Sequence, residues 1–222
     1  AREALQRAGV ATFIEPTHGT RAVAALHQIR TALARPLVQP PLPAAAPIAP
    51  GAANELESLA ALRAAGIATV DARAARSADE AVQAADALGY PVVVKLLSAD
   101  VLHKSDIGGV QLNLPDATAV RAAFAAVVAA AATHAPRARV DGVLVAPMQR
   151  GGIECILGVS RDAVFGPVVM FGLGGIFVEA MGDVAFRVAP FDTAEALRMV
   201  AETRASKVLA GLRGAPPADI QA

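Results

Sequence analysis

The sequence of 222 residues is long enough for one ordinary domain or two small ones. Its 20 Lys and Arg residues balance its 20 Asp and Glu residues, so the formal net charge is +0. This balance argues against a protein that coats nucleic acid or lies on an anionic membrane, because both need a basic surface. The longest strongly apolar run, residues 122–132, is too short to span a bilayer. A single cysteine excludes an internal disulfide framework, and we expect a cytoplasmic protein.

The first 53 residues differ in composition from the rest. Residues 1–35 predict a helix ending at Gly9, a strand over 10–14, and a helix over 22–34 with Thr20 as its N-cap. This pattern is typical of the last strand–helix unit of an α/β domain that begins upstream. Residues 36–53 contain six prolines, which remove backbone donors, and predict an extended linker or a loop packed along a domain surface.

The remaining residues, 54–222, predict an α+β domain whose strands pair through turns. Capping signals at Asn54, and at Ser77 with Glu80, mark two helix starts. The predicted helices are 55–65, 78–88, 117–133 and 193–204. The predicted strands are 67–70, 92–97, 110–114, 140–148, 153–159, 168–171, 176–179 and 187–190.

The most polar motif lies at residues 95–110, between two predicted strands. We expect Lys95 to end the first strand, and an ammonium group in an apolar run needs an anionic partner. The loop after it contains His103, Lys104 and the pair Gly108-Gly109. Glycine amides can form a phosphate-binding nest, and a histidine can accept a phosphoryl group or move a proton. The alternative is a hairpin whose polar residues simply face water.

Two further features are weaker. A glycine turn at residues 172–175 lies between apolar runs, and such turns are often only structural. The carboxylates of Glu154, Glu179 and Asp183 are candidates for magnesium or ribose contacts, because magnesium prefers hard oxygen ligands. Each carboxylate taken singly is also explained by solvation or a salt bridge.

From about residue 55 to its end, the chain resembles the ATP-grasp domain of the nucleoside-diphosphate-forming acyl-CoA synthetases, typified by ADP-forming acetyl-CoA synthetase. The His-Lys-Ser-Asp-x-Gly-Gly motif is highly specific to this family. Residues 1–35 resemble the end of the succinyl-CoA-synthetase-like CoA-ligase domain, a flavodoxin-like α/β domain, and residues 36–53 correspond to the interdomain linker. The matching stretches, in the family's order and spacing, are 88–95, 102–110, 142–148, 165–175, 212–214 and 216–217.

The resemblance implies the N-terminal portion of an ATP-grasp fold and an acid–thiol ligase that uses ATP/ADP and Mg2+. Such an enzyme interconverts acyl-CoA, nucleoside diphosphate and phosphate with free acid, CoA and nucleoside triphosphate. His103 matches the histidine that carries the phosphoryl group. Glu179 and Asp183 remain weak candidates for the metal. The implied nucleotide-binding residues are Lys95, Lys104, Ser105, Gly108, Gly109, Val145, Ala146, Met148, Glu154, Gly174 and Gly175.

The family's domain continues to an Asp-x-Asn-Pro stretch that binds magnesium, and nothing like it follows Arg213-Gly214. We therefore expect a truncated domain that is inactive alone. Its expected partners are an adenine nucleotide and a CoA-ligase domain of the same or a partner chain, in a homo- or hetero-oligomer. Two alternatives remain open: a nucleotide-sensing module of a protein acetyltransferase fusion, and a carboxylate–amine ligase, which uses the grasp fold without phosphohistidine.

Overall fold

The computed structural model describes residues 2–34, 53–175, 182–211 and 216–220. The chain divides into two compact units, one formed by residues 1–41 and 154–222 and the other by residues 42–153. The predicted linker, apart from its last residue, and the predicted strand at 176–179 lie outside the described residues.

Seven α-helices and seven strands cover the described residues, together with a 3-10 turn at Ser105–Ile107. The helices are α1 (Arg2–Arg7), α2 (Pro16–Leu33), α3 (Glu55–Ala64), α4 (Ala78–Leu88), α5 (Ala117–His134), α6 (Thr193–Glu202) and α7 (Ala205–Leu209). The strands are β1 (Arg73–Ala75), β2 (Val92–Leu97), β3 (Val110–Leu114), β4 (Gly142–Pro147), β5 (Cys155–Asp162), β6 (Gly166–Leu173) and β7 (Val184–Val188).

The unit of residues 42–153 is built on an antiparallel sheet with the strand order β1-β4-β2-β3. Helices α4 and α5 pack on one face of this sheet. Successive side chains of a strand point to opposite faces, so Val92, Val94 and Leu96 of β2 enter the core together and are fully buried. Lys95 therefore belongs to the other face.

Helix α5 corrects the expectation that the longest apolar stretch of the sequence is too short to span a bilayer. It has 18 residues and is apolar enough, by length and composition, to cross a membrane. One face of it, carrying Val120, Ala123, Val127 and Ala131, is buried in the core beneath the sheet. The helix therefore packs against the sheet through this face, and alanine supplies helix propensity at many of its other positions.

The second unit contains a three-stranded antiparallel sheet with the order β5-β6-β7. Helix α6 contacts β7, and polar side chains take part in the contact. Arg187 of β7 donates to Glu195 at 2.6 Å and to Glu202 at 2.7 Å, both on α6. These charge-assisted bonds fix the helix against the edge of the sheet.

The predicted strands 92–97 and 110–114 and the predicted helix 78–88 are confirmed at both ends. The strand pairs among the described residues are antiparallel. Pairing of consecutive strands holds for β2–β3, β5–β6 and β6–β7, whereas β4 returns after α5 to pair with β1 and β2. The helix start predicted at Thr20 was wrong. Helix α2 begins at Pro16, because a proline in the first turn loses no helical hydrogen bond.

The strands predicted at 10–14 and 67–70 were also wrong. In each case the first residue of the apolar run completes the end of the preceding helix. The amide of Val10 donates to the Leu5 carbonyl at 2.9 Å, and that of Ile67 donates to the Leu62 carbonyl at 3.0 Å. These are the six-to-one bonds of Schellman motifs, in which a glycine is followed by an apolar residue. The flavodoxin-like strand–helix remnant is consequently not confirmed.

Candidate functional site

Lys95 lies within β2 and does not end it, which corrects the prediction. The strand continues for two more residues because Leu96 and Leu97 still pair with Val143 and Gly142 of β4. On the sheet face opposite α4 and α5, Lys95 is the one member of β2 that is only partly buried. A cation is thus held on a rigid central strand.

An ion-pair cluster surrounds this lysine. Lys95 Nζ donates to Glu55 Oε1 at 2.7 Å, and Lys104 Nζ donates to Glu55 Oε2 at 2.7 Å. The side chains of Lys95, Lys104 and Glu55 are 32%, 14% and 27% exposed. Both predicted nucleotide-binding lysines therefore converge on one carboxylate, and the cluster carries one net positive charge.

The ionisation of Glu55 reflects this environment. Burial opposes the charged form, but the hydrogen bonds and charges of Lys104 and Lys95 outweigh it and hold the pKa of Glu55 below its usual value. The carboxylate therefore stays ionised, and the two ammonium groups keep their counterion at neutral pH.

The loop between β2 and β3 carries His103, as the sequence predicted. His103 is exposed, and it immediately precedes Lys104, whose side chain turns inward to Glu55. A single 3-10 turn, beginning at Ser105, completes the loop. An accessible imidazole in the same loop as Lys104 can act as a nucleophile toward a phosphorylated ligand.

The amides of Gly108 and Gly109 are not free to form a nest, contrary to prediction. Gly108 N donates to the Ser105 carbonyl at 3.1 Å, and Gly109 N donates to the Lys104 carbonyl at 2.8 Å. Glycine is needed here for the close approach, because a Cβ on Gly109 would lie 2.9 Å from the Lys104 oxygen. The glycines therefore fold the loop, and charge compensation falls to the lysines.

Two of the implied nucleotide-binding residues, Val145 and Ala146, lie near the end of β4, and Met148 directly follows the strand. Val145 is fully buried on the core face, with partner strands on both sides, so its side chain and its backbone are both engaged. The ladder with β1 ends there, whereas pairing with β2 continues to Pro147. The side chain of Ala146 lies on the same sheet face as Lys95, opposite the core. Ala146 is therefore better placed than Val145 for contact with a ligand. The Met148 amide is already used, because it donates to the Pro91 carbonyl at 2.9 Å.

The second unit brings three other predicted residues together. Gly174 N donates to the Glu154 carbonyl at 2.8 Å. The Glu154 side chain lies over the glycine turn, so a Cβ on Gly174 would meet Glu154 Cγ at 2.6 Å and one on Gly175 would meet Oε2 at 3.5 Å. The glycine turn therefore leaves room for the Glu154 side chain to pack against its backbone. Only the glycines were visible as a motif in the sequence.

We expect Gly174→Ala to displace the Glu154 side chain and lower the free energy of unfolding by about 1–3 kcal/mol, the usual cost of overpacking. In a Glu154→Ala background the same change should cost less, because the closest clash is gone. Denaturant unfolding of the wild-type protein, the two single variants and the double variant measures the difference. Gly158→Ala is the control, since its Cβ would make only ordinary contacts with the Met170 side chain, the nearest being Cε at 3.4 Å. Equal costs in both backgrounds would contradict this account of the glycine.

The metal candidates do not form a site within the described residues. Asp183 Oδ2 accepts a hydrogen bond from the Arg204 amide at 2.6 Å, at the start of α7, and so has a structural role. Glu179 lies outside the described residues. No group of three or more His, Cys, Asp or Glu side chains suited to a metal occurs in the part of the chain that the structure describes.

The comparisons with known proteins agree with this architecture. The family profile described as an ATP-grasp domain matches residues 50–222. The chain is 39% identical to acetate–CoA ligase [ADP-forming] I of Archaeoglobus fulgidus, over 98% of this chain and 33% of that protein. It is 45% identical to the beta subunit of acetate–CoA ligase [ADP-forming] I of Pyrococcus furiosus, over 71% of this chain and 68% of that subunit.

Solved structures give the same result. An acetyl-coenzyme A synthetase 1 of Ca. Korarchaeum cryptofilum, in complex with coenzyme A, Ca-AMPCP and HgCl+, matches with a TM-score of 0.73 and 43% identity, over 76% of this chain and 74% of that chain. A second structure of that synthetase holds coenzyme A and Mg-AMPPCP, and its phosphohistidine segment points towards the nucleotide binding site (TM-score 0.63, 40% identity, 76% and 71% covered).

The fold is therefore an ATP-grasp fold, a nucleotide-binding class. More narrowly, the chain belongs to the ATP-grasp domains of the ADP-forming acetyl-CoA synthetase family. It spans about a third of the length of the Archaeoglobus relative and about two thirds of the Pyrococcus beta subunit.

Proposed function

We propose that this chain is the nucleotide-handling part of an ADP-forming acyl-CoA synthetase, in which a phosphoryl group moves between ATP or ADP and His103. The observation that carries the proposal is the cation cluster beside the histidine loop. Lys95 and Lys104 share one carboxylate, leaving a net positive charge, and Lys104 directly follows the exposed His103. A polyphosphate next to a neutral imidazole is the reactant pair that this arrangement suits.

The transfer balances in simple terms. A neutral imidazole nitrogen of His103 attacks the terminal phosphorus of ATP, the new N–P bond forms, and the P–O bond to ADP breaks. ADP leaves with the bonding electrons, and the imidazole releases its proton to solvent. In the other direction a terminal ADP oxygen attacks the phosphohistidine. Lys95 offsets the negative charge on the nucleotide phosphates in both directions.

Nucleotide contacts from Ser105, Ala146 and Met148, which lie in the same unit as Lys95, belong to the proposal as well. The relatives' names support the remaining features. A beta subunit in Pyrococcus implies that a partner subunit exists there, and we propose that this chain acts with a CoA-ligase domain of the same or a partner chain in an oligomer. We further propose that the nucleotide is bound as its magnesium complex, in the cytoplasm.

The test is ATP formation by the full-length protein from acetyl-CoA, ADP, magnesium and inorganic phosphate, followed with a luciferase readout. We expect ATP formation that requires all three substrates, and the control omits phosphate. The same assay is repeated with other acyl-CoA thioesters, in case the protein prefers an acyl group other than acetyl. A protein that binds ADP but forms no ATP with any thioester would contradict the proposal and favour a nucleotide-sensing module.

A further inference from the structure

The proposed function leaves Glu55 without a role, although its carboxylate connects the two lysines. We propose that Glu55 is a positioning residue, which holds Lys95 in place for the nucleotide phosphates and is itself held by Lys104. The inference rests on the proposed nucleotide-binding role of Lys95. Neither Glu55 nor any relay between the lysines was indicated by a sequence motif.

The side chains of Lys95 and Lys104 differ in solvent exposure, and this difference indicates a different role for each. The Lys95 side chain is 32% exposed and Lys104 only 14%. Each ammonium has three donors, and the bond to Glu55 uses one of them. Lys95 therefore keeps donors within reach of a ligand, whereas Lys104 is mostly enclosed. Lys104 acts as the counterion that keeps Glu55 fixed and ionised.

The carboxylate of Glu55 is not needed to cap its own helix. Asn54 and Glu57 form the complete capping box of α3: the Asn54 side chain accepts from Glu57 N at 3.0 Å, and the Glu57 carboxylate accepts from Asn54 N at 2.9 Å. Asn54 Nδ2 also donates to Asp141 Oδ2 at 3.2 Å, and Asp141 is the residue that immediately precedes β4. The helix start is anchored to the sheet by other residues, so Glu55 is presented to the lysines on a rigid support.

Charge explains why such a residue is useful. Two ammonium groups that approach each other in a half-buried site repel, and a flexible lysine pays rotamer entropy when it binds a ligand. A carboxylate between them removes the repulsion and orders both side chains in advance. The cluster retains one net positive charge, which still attracts a polyphosphate.

The test is a double-mutant cycle on ADP affinity, measured by calorimetry on the full-length protein with Glu55→Gln, Lys95→Met and both changes together. We expect Lys95→Met to weaken ADP binding about ten- to hundredfold, the scale of one charge-assisted contact, and Glu55→Gln to weaken it about tenfold. The double variant should be no weaker than Lys95→Met alone, because Glu55 acts through Lys95. Adenosine, which lacks phosphates, should bind all variants with unchanged affinity.

Glu57→Ala is the matched control on the same helix. It removes half of the capping box and should lower the melting temperature without changing ADP affinity. Wild-type ADP affinity in Glu55→Gln, tighter ADP binding, or additive losses in the double variant would overturn the inference while leaving the proposed function intact. Failure of the wild-type protein to bind ADP, or an unaffected Lys95→Met, would instead refute the nucleotide site, and the inference with it.

Discussion

Replacing His103 with alanine is expected to abolish ATP formation from acyl-CoA, ADP and phosphate in the full-length protein. Alanine offers no nucleophile, so the phosphoryl group has no carrier in this domain. ADP affinity should stay within about twofold of wild type, because the Glu55-centred cation cluster does not include the imidazole. Steady-state rates, ADP calorimetry and melting temperature on the same preparation separate chemistry from binding and stability.

The matched control is Leu102→Ala, which changes the neighbouring, 85% exposed position of the same loop. It should leave turnover near wild type, because the loop is closed by the Gly108 and Gly109 hydrogen bonds and not by this side chain. A normally folded His103→Ala protein that still makes ATP would remove the carrier role. His103→Asn, which keeps a planar polar side chain without a nucleophilic imidazole, should be as inactive as alanine.

Lys95→Met is expected to weaken ADP affinity about ten- to hundredfold, since a charge-assisted contact to phosphate contributes roughly 1.5–3 kcal/mol. Methionine preserves most of the aliphatic stem, so packing around β2 should change little. Calorimetry with ADP measures the loss of affinity. Raising the salt concentration should reduce the difference in ADP affinity between the wild type and the variant, because salt screens the charge of Lys95.

The third lysine supplies the control for charge. Lys207→Met, in α7 of the other unit, removes the same charge at a position outside the cation cluster. It should leave ADP affinity at the wild-type value. Equal losses in the two variants would mean that total charge governs binding, and an unaffected Lys95→Met would mean that the phosphates bind elsewhere.

The sequence predicts the parts of the site that are local in the chain. Lys95 lies in the apolar run that forms the first strand, and the polar loop with His103 and Lys104 lies between that strand and the next. Both strands have clear patterns, and both are confirmed. Glu55 was missed because it meets the lysines across 40 and 49 residues of sequence. No local pattern encodes an ion pair at that separation.

The direction in which backbone amide groups point was the second feature that the sequence did not predict. A residue pattern does not show whether the Gly108 and Gly109 amides face a ligand or the carbonyls of their own loop. In the structure both amides donate to carbonyls of the loop. The same limit applies after Gly9 and Gly66, where an apolar residue completes a helix end instead of starting a strand. The contact of Glu154 with the glycine turn likewise depends on the pairing of β5 with β6.

The most direct test of the central claim is to map the phosphoryl group itself. Full-length protein is incubated with magnesium and ATP, quenched at alkaline pH to preserve phosphohistidine, digested, and analysed by mass spectrometry. The expected result is a phosphoryl adduct on His103, lost on addition of ADP and absent from His103→Ala. A protein that turns over with no phosphoryl group on His103 at any time point would contradict the account.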